Sequence, residues 1–147
     1  MKILPIFCVL ALALVACKKE DEKPMSKTEL LTAKNWRLTA DKRTSNGQTT
    51  TVDVYPSLPD CAKDDYYKYS TNNKAELNAG AFKCSSSQAQ SYVINWNFSS
   101  DETKLVTSDP SAGWSVNSEI LELTASTLRL KNNQSGGGTQ ELTFTAF

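Results

Sequence analysis

Three aspartates crowd one cysteine: Asp60, Asp64 and Asp65 stand beside Cys61. Carboxylates this close in sequence can hold Ca²⁺ or divide the work of a general acid and a general base. A calcium loop also needs a bidentate Glu and a tight Gly turn, and neither accompanies this cluster. Asp side chains equally cap loop backbone N–H groups, so the other reading is a hydrogen-bonding corner that fixes the loop at the cysteine. The chain has no His. That removes Ser-His-Asp and Cys-His catalysis and the usual zinc sites. The run Asn132-Asn133-Gln134-Ser135-Gly136-Gly137-Gly138 has the glycines of a phosphate loop but no Lys and no strand-to-helix setting, so it reads as a hairpin loop. No catalytic residue, metal or cofactor is expected, and the chain is not read as an enzyme.

Cys17 offers a different chemistry. It closes Leu14-Val15-Ala16-Cys17 after a basic Lys2 and an apolar stretch from Ile3 to Ala16. That stretch is too short to span a bilayer and is placed like a signal peptide. The four residues resemble the bacterial lipobox. The resemblance implies cleavage before Cys17, diacylation of its thiol and acylation of the new amino terminus. A plain signal peptide with a chance Cys is the competing reading. The segment Lys18-Lys19-Glu20-Asp21-Glu22-Lys23 carries no apolar residue and reads as a solvated tether. Lys18 stands where an Asp would suggest inner-membrane retention. Lys19-Glu20-Asp21 resembles the export signal of surface lipoproteins in the Bacteroidetes. The expected organisation is a signal peptide over 1–16, a lipidated Cys and tether over 17–25, and one domain over 26–147. The expected location is the outer membrane, facing the periplasm or the cell surface.

Removing residues 1–16 leaves 131 of 147, with 15 basic and 16 acidic side chains. This is enough chain for one core. There is no basic excess to neutralise phosphates, so nucleic acid is not expected as a partner. The expected partners are a lipid membrane, through the acyl chains on Cys17, and a small apolar ligand. The domain is expected to be a monomer. With Cys8 lost and Cys17 acylated, Cys61 and Cys84 remain as one pair in an oxidising compartment, where a disulfide is expected and two free thiols are the alternative.

The elements around these residues follow from periodicity. Ser26-Lys27-Thr28-Glu29 has capping-box spacing and Leu30, Leu31 and Ala33 follow, which predicts a short helix over 26–34. Beyond it, short alternating runs are separated by Asn, Gly, Ser, Asp and Pro clusters. Trp36, Leu38 and Ala40 alternate with Arg37, Thr39 and Asp41. Asn46-Gly47 reads as a hairpin turn into a strand over 49–54, and Pro56 and Pro59 then break the chain. Strands are expected over 65–70 and 74–78, with 84–90 as a polar loop. Tyr92, Ile94, Trp96 and Phe98 alternate with Val93, Asn95 and Asn97, the clearest period of two in the chain. Further strands are expected over 103–107, 114–124 with a bulge near Asn117-Ser118, 127–131 and 140–147. About eight or nine strands at meander spacing predict an all-β, up-and-down barrel of about eight strands with one short N-terminal helix.

The pattern is similar to the small lipocalin-like lipoproteins of the Bacteroidetes. Four pieces carry the resemblance over roughly 28–147: Leu30-Leu31-Thr32-Ala33-Lys34-Asn35-Trp36-Arg37-Leu38; Cys61-Ala62-Lys63-Asp64-Asp65-Tyr66-Tyr67-Lys68-Tyr69; Cys84 after Gly80; and Trp96-Asn97-Phe98 followed by Leu121-Glu122-Leu123-Thr124 and Leu128-Arg129-Leu130. Tyr69 departs from a usual Phe and Trp114 from a common Tyr. The resemblance implies a lipocalin-like barrel and leaves the ligand open.

Trp36, Leu38, Tyr67, Tyr69, Leu77, Ile94, Trp96, Phe98, Leu128, Leu130, Leu142 and Phe144 are expected to face inward. They make either an ordinary packed core or the walls of an apolar pocket with Tyr hydroxyls as polar anchors. In the pocket reading the ligand-binding residues are Trp36, Leu38, Tyr67, Tyr69, Ile94, Trp96, Phe98, Leu128 and Phe144. The expected function is then non-catalytic binding of a small apolar or amphipathic molecule by an anchored barrel. The alternative is a filled barrel that engages an envelope partner through its loops.

Overall fold

A computed structural model describes residues 23–147. Cys17 and most of the charged tether, including Lys18 to Glu22, lie outside the described residues, as does the signal-like stretch. The first element among the described residues is helix α1, Lys27–Thr32. Ser26 Oγ accepts from the Glu29 backbone N–H at 3.2 Å, and the Glu29 carboxylate accepts from the Ser26 N–H at 2.7 Å. This is the reciprocal capping box the sequence predicts, and it satisfies two otherwise orphaned donors. The helix is shorter than expected and points Leu31 into the core.

Nine strands follow: β1 Asn35–Thr44, β2 Thr51–Asp53, β3 Tyr66–Ser70, β4 Lys74–Asn78, β5 Ser91–Phe98, β6 Lys104–Asp109, β7 Trp114–Leu123, β8 Thr127–Asn133 and β9 Thr139–Ala146. All neighbours are antiparallel, and β9 pairs back on β1 from Trp36↔Ala146 to Thr44↔Thr139. The result is a closed eight-stranded antiparallel barrel, β1-β3-β4-β5-β6-β7-β8-β9, with β2 outside the ring. Closure removes the unpaired edges of an open sheet.

β1 serves three neighbours. Its β9 edge is paired along its length, but its other edge is divided. Asn35 to Arg37 pair with β3, and Lys42 to Thr44 pair with β2. The wall therefore parts above Arg37↔Tyr66. A 3₁₀ turn, Tyr55–Ser57, and a short helix α2, Asp60–Lys63, connect β2 to β3. Pro56 and Pro59 do more than break the chain. Pro56 lies within the turn and Pro59 is the N-cap of α2, positions where a fixed φ and a missing N–H cost nothing.

Two bulges correct the expected alternation. The β1 register shifts between Leu38 and Ala40, so the extra residue carries Asp41, not Ala40, into the buried row after Trp36 and Leu38. In β7 the irregularity lies between Ile120 and Glu122, whereas Asn117 and Ser118 pair regularly with Val106 and Leu105. Ile120 and Leu123, three residues apart, both pack on the core.

The core fills one end of the barrel. Leu31, Trp36, Leu105 and Leu128 are its most completely buried large side chains. The Trp36 indole Nε1–H donates to the Leu31 carbonyl at 2.8 Å, which fastens α1 across this floor. Trp96 Nε1–H reaches the carbonyls of Ser70 and Lys74 at 3.0 and 3.1 Å, and its ring meets Tyr69 and Phe98 edge to face. Edge-to-face pairs place the positive ring edge on the negative ring face.

Candidate binding site in the barrel mouth

The opposite end is not filled. On β5, exposure falls from 44% at Tyr92 to 4% at Ile94 and 3% at Trp96; on β7, Trp114 and Val116 are 37% and 39% exposed while Ser118 is 5%. All these residues share the inward parity of their strands. Tyr92 points inward as predicted, but at the rim, where it remains open to solvent.

Three cavities occupy this end, of about 260, 200 and 250 Å³, and Tyr67 lines all three. The first lies against β3, β4 and β5, beneath Gln88 and Ala89. The second runs down the barrel interior past Tyr69, Leu77, Ile94 and Leu130 to Phe144. The third fills the parting between β1 and β3, with Leu38, Asp41, Ala62, Asp65 and Gln140 around it. Tyr67 is stacked at 6.4 Å on Tyr69 and meets Phe144 edge to face at 5.6 Å.

The structure divides the residues of the expected pocket. Leu38, Tyr67, Tyr69, Ile94 and Phe144 line the cavities. Trp36, Trp96 and Leu128 belong to the packed floor, and Phe98 packs on Trp96. Leu77, Leu130 and Leu142 also reach cavity walls.

The three aspartates beside Cys61 do not act together. Asp60 pairs with Lys63 at 3.7 Å in solvent. Asp64 accepts hydrogen bonds from the Ala81 and Phe82 backbone N–H groups and faces Arg37 at 3.5 Å. It holds the Gly80 turn against the Cys61–Cys84 disulfide, whose Cα atoms are 5.2 Å apart. Of the three, Asp64 alone makes the expected hydrogen-bonding corner at the cysteine. Among the described residues no group of three or more His, Cys, Asp or Glu side chains converges as a metal site.

Asp65 turns the other way. Its Oδ1 is buried without a hydrogen-bond partner among the described residues, and it lines two cavities. Burial, with the Asp64 charge adding to it, raises its carboxyl above the ordinary carboxylate range. Burial and the Asp65 charge raise the Tyr67 phenol, and burial with Tyr67 beside it raises Tyr69. Asp41, across the third cavity, is satisfied: Arg43 donates to it at 2.7 and 3.2 Å and Gln140 at 2.8 Å. Burial raises the Asp41 carboxyl, but these hydrogen bonds and the Arg43 charge outweigh it and leave the group below its usual value.

Sequence reasoning missed Asp65, Asp41 and Asn132 as cavity groups. Asp65 precedes Tyr67 by two residues, and Asn132 follows Leu130 by two, so period two places both on the inner face. Asn132 Oδ1 is likewise buried without a partner among the described residues, at the wall of the second cavity. Asp41 carries no such signal, because the bulge that turns it inward is not written in the apolar pattern.

No curated protein matches this chain. Residues 32–130, more than half of its length, match the lipocalin-like domain. With the closed antiparallel barrel, this match shows that the chain belongs to the lipocalin-like domain family.

Proposed function

We propose that this barrel binds one small apolar or amphipathic molecule without catalysis, as an envelope lipoprotein anchored through Cys17. The observation that carries the binding reading is the burial gradient along the barrel. Apolar side chains of inward parity are sealed at the α1 end and open to solvent at the other, around three cavities of about 200 to 260 Å³ that share Tyr67 as a wall. A concave apolar site with a few polar groups is the usual form of a small-molecule site. The anchor rests on Leu14-Val15-Ala16-Cys17 behind an apolar stretch.

N-phenyl-1-naphthylamine, an apolar fluorescent probe, should bind with one-to-one stoichiometry and quench tryptophan emission, because Trp114 lines the second cavity. Absence of saturable binding to the folded chain would overturn the reading. Cys17→Ser should release the chain from membranes or block its processing; unchanged membrane fractionation and cleavage would remove the anchor. A second reading, docking of an envelope partner through the loops at the mouth, is favoured by Phe82, which is 68% exposed on the loop the disulfide closes.

A further inference from the structure

One wall of the mouth combines an unpartnered acid with aromatic rings. Tyr67 pairs with Leu77 and Leu77 with Tyr92, so the three make one inward row across β3, β4 and β5. Asp65 stands two residues above Tyr67 on the same face, nearer the rim. All four line the cavity of about 260 Å³.

The charges around Asp65 are unbalanced. Asp64 is committed to the Ala81 and Phe82 amides and to Arg37, and Asp41 to Arg43 and Gln140. Among the described residues no Lys or Arg forms an ion pair with Asp65, and its Oδ1 has no donor. A carboxylate oxygen that is buried and unpaired is costly to the fold, even where the rest of the side chain is only half-buried. The missing partner is a positive donor group. An ammonium group answers the carboxylate by charge and hydrogen bonding, and answers tyrosine faces by attraction to the ring quadrupole. An anion in this cavity would meet the Asp65 carboxylate with no Lys or Arg among the cavity-lining residues to offset it. Leu77 in this row, with Ile94 and Leu130 deeper in the second cavity, offers apolar wall to a tail.

We propose that the ligand of this barrel is an amphipathic cation, with an ammonium head at Asp65 between Tyr67 and Tyr92 and an apolar tail directed into the barrel. This rests on the reading that the barrel binds a small molecule. The test is calorimetric titration of the full chain with octylammonium, octan-1-ol and octanoate at pH 7. These share one tail and differ in head-group charge. Octylammonium should bind about tenfold or more tighter than octanol, with octanoate weakest. Asp65→Asn should bring octylammonium down to the octanol affinity and leave octanol unchanged. Equal affinities in the wild type, or octanoate binding tightest, would overturn the cation proposal while leaving the binding reading intact. So would a ranking that Asp65→Asn does not alter. If none of the three, nor N-phenyl-1-naphthylamine, binds, the binding reading itself fails.

Discussion

The indole of Trp36 hangs α1 from the barrel: its N–H donates to the Leu31 carbonyl at 2.8 Å, and both residues are fully buried. Trp36→Phe keeps most of the packing but strands a buried acceptor, which costs about 1–3 kcal/mol. Trp36→Ala adds a cavity and should cost about 3–5 kcal/mol. Urea unfolding checks both. A Phe variant as stable as the wild type would show that the hydrogen bond contributes nothing to holding the floor.

Gly80 is required twice over. Its φ is +61°, and a Cβ there would collide with the Asp64 side chain and its carbonyl oxygen. Gly80→Ala should cost about 1–3 kcal/mol. Gly80→Asn separates the causes, since Asn tolerates positive φ but brings a larger side chain. Thermal melts should show Asn at least as destabilised as Ala; if Asn is well tolerated, backbone conformation alone matters.

The same corner is closed covalently, with Cys61 and Cys84 23 residues apart. Replacing both by Ser should cost about 3 kcal/mol by loop-closure entropy. Mass spectrometry of the unreduced chain gives an independent check: neither Cys61 nor Cys84 should alkylate before reduction.

Asp41 and Asp65 should give stability opposite pH signs. The Asp41 carboxyl is lowered, so its contribution is present above the unfolded carboxylate value, about 3.9, and is lost as pH falls through the folded value. The Asp65 carboxyl is raised, so its contribution is complete below about 3.9 and is lost as pH rises through the folded value. At pH 7, Asp41→Asn should melt below the wild type and Asp65→Asn above it. At pH 3 the Asp65→Asn gain should vanish. Melting curves at the two pH values decide it, and an Asp65→Asn chain that is less stable at pH 7 would mean that Asp65 has a stabilising partner.

On β5, Trp96→Ala should cost about 3–5 kcal/mol. Asn97, exposed with its side chain on the Phe98 carbonyl, should cost under about 0.5 kcal/mol when replaced by Ala. That contrast is legible in the sequence because β5 alternates without interruption. β1 and β7 were legible only in part. One extra residue near Thr39 exchanges the inner and outer faces, and the polar Asp41 enters a row that the apolar pattern would assign to Ala40. In β7 the Ile120-to-Leu123 spacing of three is the mark of the irregularity, whereas the polar Asn117-Ser118 pair sits in a regular ladder. Of the mouth, the aromatic walls follow from period two. The empty volume between them does not, because alternation tells which way a side chain points and not whether anything meets it.

β1 joins β3 only from Asn35↔Lys68 to Arg37↔Tyr66 before handing its edge to β2. A ring is as cooperative as its shortest ladder, and local opening begins where the fewest backbone pairs must separate. In hydrogen exchange, the amides of this seam should therefore lose protection before those of the β8–β9 ladder. The third cavity lies directly behind it. The Cys61–Cys84 bridge ties α2, on the β3 side of this parting, to the segment between β4 and β5, so the disulfide spans the part of the wall that the β1–β3 ladder leaves unpaired.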